Sequence, residues 1–127
     1  SFQPAHALEG LSLLADLPNL FVDTSAVCDA MAIQAALRIM GPHRVLYGSD
    51  FCASFFRGRS VAAADSFLWL YEDTPVWTEK HRTLQPVLIG LEALRALKWA
   101  CWGERLNDRQ VEGIFWDNAA ALFGLGS

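Results

Sequence analysis

The sequence predicts an α/β protein with parallel strands, and two observations carry this prediction. Two short apolar runs, residues 20–23 (LFVD) and 44–48 (RVLYG), have the composition of strands that are covered on both faces. About 20 residues separate the two runs and contain a helical pattern, which is the length of a parallel crossover connection.

Size and composition fit one globular domain. The chain has 127 residues, of which 53% are hydrophobic and 19% charged, a balance that argues against disorder. The net charge of −4 and the lack of a basic block argue against nucleic acid and membrane surfaces as partners. No apolar run reaches the roughly 20 residues that cross a bilayer. We therefore expect a small-molecule substrate as the partner, and the sequence leaves a homo-oligomer open.

The cysteines and the N-terminal residues bear on the compartment. Three cysteines at irregular spacings do not predict a disulfide framework, and they favour a reducing cytoplasm. The first residues lack the basic and apolar regions of a signal peptide. The sequence starts without methionine, so we expect it to be a piece of a longer protein.

The segments around the first apolar run predict helices. Residues 4–17 place several leucines near one face, and Pro18 ends the pattern. Residues 30–40 carry a second apolar stripe, with Asp29 as the N-cap and Gly41 as the terminator.

The rest of the chain is predicted to be mostly helical. Residues 61–71 are expected to return to helix, whereas the polar connector 72–83 receives no assigned structure. Residues 84–124 form the predicted helical C-terminal portion, in which Asn107 and Gln110 have the spacing of a capping box.

Two aspartates stand where each apolar run ends. In parallel α/β sheets, ligands and catalytic side chains gather at the carboxyl ends of the strands. Asp50 follows the second run through Gly48 and Ser49, and Asp23 ends the first. A carboxylate in this position can bind a divalent metal or take a proton from metal-bound water. The residues alone leave a capping or turn role equally open for Asp50 and favour a turn role for Asp23.

The histidines do not complete a metal site. His43 precedes its strand and so belongs to the opposite end of the sheet, His6 lies near the first helix, and His81 lies in the polar connector. A catalytic zinc typically needs three protein ligands. We therefore expect most ligands of any catalytic metal to lie outside this chain.

The segment after Asp50 carries candidate substrate-binding residues. Arg57 and Arg59 could bind a substrate carboxylate through two parallel hydrogen bonds. The alternative is that they pair with acidic neighbours or stay solvated. The phenylalanines at 51, 55 and 56 could wall a pocket, although packing in a core or interface explains them equally well.

Four motifs in this order resemble the amidohydrolase superfamily, specifically its amidohydrolase-related branch: LPNLFVDTSAV, ALRIMGPHRVLYGSDF, GLEALRALKWA and VEGIFWDNAAALFGL. The resemblance implies the C-terminal part of a metal-dependent TIM-type (β/α)₈ barrel, with LFVD as strand seven and RVLYGSD as strand eight, followed by C-terminal helices. It implies that Asp50 binds the metal or deprotonates its water, and then passes the proton to the leaving group. The implied metal is zinc, with manganese as the alternative. The histidine pair expected on the first strand is absent from this sequence.

The leading hypothesis is therefore the C-terminal segment of a metal-dependent hydrolase that cleaves an amide, ester or lactone-like bond. A decarboxylase of the same superfamily and a truncated non-catalytic segment are the alternatives. An open α/β binding domain is disfavoured, because the strands are few and no glycine-rich phosphate loop is present. Two strands leave open sheet edges, so we expect the chain expressed alone to be poorly soluble.

Overall fold

The computed structural model describes residues 3–75 and 85–126 and confirms the mixed α/β class. His81 and most of the predicted connector lie outside these residues. No helix in the two described ranges is long and apolar enough to cross a membrane. The elements are α1 (Pro4–Leu14), β1 (Val22–Asp23), α2 (Ala30–Met40), β2 (Val45–Leu46), β3 (Gly58–Ala63), β4 (Ser66–Tyr71), α3 (Ile89–Gly103), α4 (Asp108–Glu112) and α5 (Asn118–Phe123), with a π-helical turn (Gly113–Asp117) between α4 and α5.

β1 and β2 form a two-stranded parallel sheet. Val22 is paired with Val45 and Asp23 with Leu46, and the Thr24 N–H continues the ladder with a 3.0 Å hydrogen bond to the Leu46 carbonyl. The hydrogen-bonded strands are shorter than the apolar runs that predicted them. Because the pair is parallel and α2 connects its strands, both strands point their carboxyl ends to the same edge.

Helices α1 and α3 both pack against α2, and the three form one layer. α2 buries its apolar stripe, with Ile33, Leu37 and Met40 each at most 4% exposed. α3 faces α2 partly through alanines, of which Ala100 is fully buried. These small side chains allow the two helix backbones to approach closely. The first predicted helix is three residues shorter than expected and ends at Leu14.

The predicted helix at residues 61–71 is wrong. This segment belongs to an antiparallel hairpin in which β3 pairs with β4 from Gly58↔Tyr71 to Ala63↔Ser66. Gly58 has a φ of +152°, and a side chain there would collide with the Leu70 carbonyl, so the hairpin depends on this glycine.

The C-terminal helices hold β2 from its outer edge. The Tyr47 N–H donates a 2.8 Å hydrogen bond to the Ile114 carbonyl in the π-helical turn. The Asn118 side chain donates from Nδ2 to the carbonyls of Pro42 and Val45, both at 2.8 Å. The last helical segment therefore fixes the strand that leads to Asp50.

Arg44 anchors the start of β2 to the helix layer. Its Nε donates to the Met40 carbonyl at 2.7 Å. Its Nη1 donates to the carbonyls of Ala15 and Leu17, at 3.0 and 3.1 Å. Through this one side chain, the C-terminal ends of α1 and α2 are held beside the same strand.

The predicted capping box is present at α4. The Asn107 Oδ1 accepts from the Gln110 N–H and the Gln110 Oε1 accepts from the Asn107 N–H, both at 3.0 Å. We expect Asn107→Ala to lower the free energy of unfolding by about 1 kcal/mol, because the first turn of α4 loses its acceptor. Urea unfolding measures this change. Asn107→Asp keeps an acceptor and should cost less, and equal losses in both variants would contradict the capping role.

Candidate active site

Asp50 stands beyond the carboxyl end of β2 with an exposed carboxylate. Its φ of +50° lies in the left-handed region, which aspartate tolerates better than most residues. Its carbonyl accepts a 2.9 Å hydrogen bond from the Ser54 N–H, which fixes the backbone. The carboxylate makes no hydrogen bond or ion pair within the described part of the chain. It is therefore available to a substrate, a water molecule or a metal ion.

Asp23 and Ser25 lie against the same edge of the sheet. Asp23 Oδ1 accepts a 2.9 Å hydrogen bond from the Ser25 N–H, as the predicted turn role requires. Ser25 Oγ lies directly over Gly48, where any added Cβ would overlap it and would sit 3.2 Å from Asp23 Oδ1. Gly48 thus lets the loop after β1 pack against the segment that leads to Asp50.

The loop after Asp50 presents aromatic rings to solvent. Phe51 is 78% exposed and Phe55 65%, and their rings meet edge to face with centroids 5.7 Å apart. Phe56 is exposed as well. An apolar group of this kind beside a free carboxylate is a surface that a partner or substrate can cover. The assignment of these rings to a pocket wall stays a prediction.

Cys52 is the exposed thiol of this loop, and Cys28 and Cys101 are buried. Burial also raises the pKa of the Cys101 thiol, which leaves less of the reactive thiolate. We expect a disulfide reagent such as dithiobis(nitrobenzoate) to label one thiol quickly in the native protein and all three in denaturant. Cys52→Ser should remove the fast phase. A fast phase that persists in this variant would contradict the burial of the other two thiols.

The two candidate arginines differ in how fully they are engaged. Arg57 Nη1 donates to the Pro86 carbonyl at 3.3 Å, and its Nε lies 4.0 Å from Glu72. Arg59 makes a 3.2 Å ion pair with Glu92 and a 3.2 Å hydrogen bond to the Cys28 carbonyl. Arg57 therefore keeps more donor capacity for a ligand.

The segment that carries Arg57 is fixed to the start of α3. The Gly58 N–H donates to the Val87 carbonyl at 2.9 Å, and the Ile89 N–H donates to the Phe56 carbonyl at 2.8 Å. Backbone bonds in both directions hold this segment in place, so the position of the Arg57 backbone does not depend on side-chain contacts.

The described residues do not by themselves fit a divalent metal ion. In residues 3–75 and 85–126, no three histidine, cysteine, aspartate or glutamate side chains gather closely enough to hold one. His6 is exposed on α1, and His43 lies in the turn before β2, away from Asp50. Asp50 supplies one free carboxylate, and Asp23 has one oxygen engaged by Ser25.

Sequence reasoning missed two side chains that shape this region. Glu92 is 9% exposed and lies between Arg59 and Arg95. The sequence spacing of three residues indicates only its pair with Arg95. Asn118 ties α5 to β2 across more than 70 residues of sequence. It belongs to the motif VEGIFWDNAAALFGL, yet nothing in the sequence identifies the carbonyls that it contacts.

Asp23 ends β1 and Asp50 follows β2 at the same edge of the parallel pair, an arrangement typical of a parallel α/β protein. A family model described as amidohydrolase matches residues 5–125, and the chain belongs to the amidohydrolase family. Membership places the chain in the TIM-barrel superfamily. No curated protein and no solved structure gives a significant match.

Proposed function

We propose that this chain is the C-terminal segment of a metal-dependent hydrolase, with Asp50 as its general base and then general acid. The substrate would carry an amide, ester or lactone-like bond. The family supports a member of the hydrolase or decarboxylase type. The observation that carries the role of Asp50 is its exposed carboxylate beyond the carboxyl end of a parallel strand, which has no partner among residues 3–75 and 85–126.

The geometry around Asp50 suits proton transfer. A carboxylate without a hydrogen-bond partner can accept the proton of an attacking water molecule at one oxygen. The same group can then return the proton to the leaving nitrogen or oxygen. The backbone bond from Ser54 and the packing over Gly48 hold the residue's position while the side chain stays accessible.

Members of this superfamily generally use divalent metals. We propose zinc, or manganese, with Asp50 as one donor and the other ligands supplied from outside the described residues. A bound ion of this kind acts as a Lewis acid and lowers the pKa of bound water. The described residues alone do not form the ligand set. The mechanism proposed for Asp50 is therefore limited to the proton that its carboxylate accepts and returns.

We also propose that β1 and β2 are strands seven and eight of the family's barrel, and that the rest of that barrel supplies the remaining ligands. Two features support this assignment. β1 has no second neighbouring strand among the described residues. Many large apolar side chains are exposed, including Leu13 at 85% and Phe123 at 68%, as expected for surfaces that other parts of a protein cover.

Arg57 is the stronger candidate for a substrate-binding arginine, because Arg59 is already engaged by Glu92 and Cys28. Arg57 is exposed and lies seven residues after Asp50, on a segment fixed by backbone hydrogen bonds. A substrate carboxylate could accept two parallel bonds from its guanidinium.

We further propose a reducing cytoplasm, which fits the three free cysteines.

The reaction class can be tested on the parent protein that contains this chain. The protein, loaded with zinc or with manganese, is assayed against a panel of amides, esters and lactones, and separately against aromatic and dienoic acids with detection of carbon dioxide. We expect hydrolysis of at least one class in the first panel. Carbon dioxide release without hydrolysis would overturn the hydrolase proposal in favour of the decarboxylase. Activity in neither panel, from a protein that is folded and metal-loaded, would support a non-catalytic segment.

A further inference from the structure

We propose that the cavity between α2, α3 and β3 binds a small organic carboxylate that carries a flat apolar group. The cavity has a volume of about 290 Å³. Its lining includes Arg59 from β3, Glu92, Arg95 and Trp99 from α3, and Asp29 at the start of α2. Neither Asp50 nor Asp23 lines it, so this site does not depend on the proposed hydrolase function.

Glu92 holds two guanidinium groups in place at this cavity. Its side chain is 11% exposed, and its two oxygens are used by different arginines. Oε2 lies 3.2 Å from Arg59 Nη1, and Oε1 accepts a 3.0 Å hydrogen bond from Arg95 Nη1. Arg59 is fixed further by its bond to the Cys28 carbonyl. Because both arginines are already paired with Glu92, binding costs less side-chain entropy than it would for two unpaired arginines.

Two positive and two negative side chains line the cavity, so its charges balance. The donor nitrogens without a partner nevertheless outnumber the acceptor oxygens without one. Each guanidinium carries five N–H donors. The Nε of Arg59, and the Nε and Nη2 of Arg95, have no partner in the described ranges. Both Glu92 oxygens face the arginines, and Asp29 Oδ1 accepts from the Met31 N–H at 2.8 Å, so Asp29 Oδ2 is one acceptor oxygen against these three donor nitrogens. The surplus of donors favours a carboxylate over a cation.

Trp99 supplies the apolar part of the site. It follows Arg95 by one turn of α3 and is 57% exposed. Its ring meets the ring of Trp102 edge to face, with centroids 5.5 Å apart, and this contact restrains the indole. An exposed indole one turn from a guanidinium offers a face for a flat group whose carboxylate reaches the arginine. The volume of the cavity suits a ligand with a single ring.

Benzoate is the probe for this site. We expect it to cause a saturable shift of the Trp99 indole N–H in the NMR spectrum of the purified ¹⁵N-labelled parent protein, with the resonance assigned through Trp99→Phe. Arg95→Gln should weaken binding about tenfold, because a charge-assisted pair is lost. Lys98→Gln removes the same charge from the same helix, outside the lining of the cavity, and should leave binding unchanged.

Three results would overturn the proposal. One is the lack of a saturable shift up to about 50 mM benzoate, a concentration that reveals even weak binding. The second is equal binding of benzamide, which has the shape of benzoate without its charge. The third is an equal loss in Lys98→Gln, which would mean a general charge effect. If Arg95→Gln does not fold, Trp99→Ala replaces it, since it leaves the ion pairs intact. It should weaken binding severalfold, and Trp116→Ala should not.

Discussion

Asp50→Asn is expected to lower kcat of the parent enzyme by about 10² to 10⁴-fold, with little change in stability. This is the range that a general acid–base residue contributes. An amide has nearly the shape of the carboxylate, but it cannot accept the proton of an attacking water molecule. Asparagine also tolerates the left-handed φ of +50° at this position, so the backbone should not move.

Stability and a matched control separate chemistry from structure in this test. The Asp50 carboxylate has no partner within the described ranges, so the free energy of unfolding should change by less than about 0.5 kcal/mol. Asp65→Asn makes the same replacement at an exposed position in the hairpin turn and should leave kcat unchanged. Full activity of Asp50→Asn would remove the carboxylate from the mechanism. Equal losses in both variants would mean that the assay reports overall charge.

Local signals predicted α2 and the parallel pair well. α2 has the predicted bounds, because Asp29 accepts from the Met31 N–H and, past the end at Met40, the Gly41 N–H donates to the Leu37 carbonyl. These are short-range interactions that depend on residue types close in sequence. The two apolar runs predicted the strands, although only two residues of each meet the other in a ladder.

The hairpin was not predicted, because the residues that pack against it come from distant parts of the chain. Residues 61–64 are mostly alanine and favour helix, but residues 61–63 are paired with residues 66–68 in the hairpin. Trp69 packs against the buried cluster of Ala26, Cys28 and Ile89, which comes from other parts of the chain. Tertiary packing of this kind overrides a local propensity.

The candidate active site was predictable only in part. The position of Asp50 after an apolar run indicates a strand-end carboxylate, and no residue in the described part of the chain pairs with it. The contact of Ser25 with Gly48 joins two loops across 23 residues, so no local pattern signals it. For the same reason, the role of Glu92 between Arg59 and Arg95 becomes visible only when β3 and α3 are packed together.

Gly48→Ala is expected to destabilise the parent protein by about 1–3 kcal/mol and to lower kcat as well. The new methyl group would overlap Ser25 Oγ and would lie 3.3 Å from Ser25 Cβ and 3.2 Å from Asp23 Oδ1. Rotation of the hydroxyl relieves only the first of these contacts. The loop after β1 or the segment toward Asp50 must therefore shift, and overpacking of this kind typically costs that much.

A double-mutant cycle tests whether the contact with Ser25 causes this loss. Ser25→Gly removes both serine atoms that crowd the methyl group, so Gly48→Ala should cost at least about 1 kcal/mol less in that background. Additive free energies of unfolding would contradict the proposed contact. Gly10→Ala provides a control of opposite sign, because nothing lies within 4 Å of an added Cβ at this position inside α1. It should stabilise the protein by about 0.5–1 kcal/mol, since alanine favours helix over glycine. A loss at Gly48 beside a gain at Gly10 would therefore assign the effect to crowding at the sheet edge that carries Asp50.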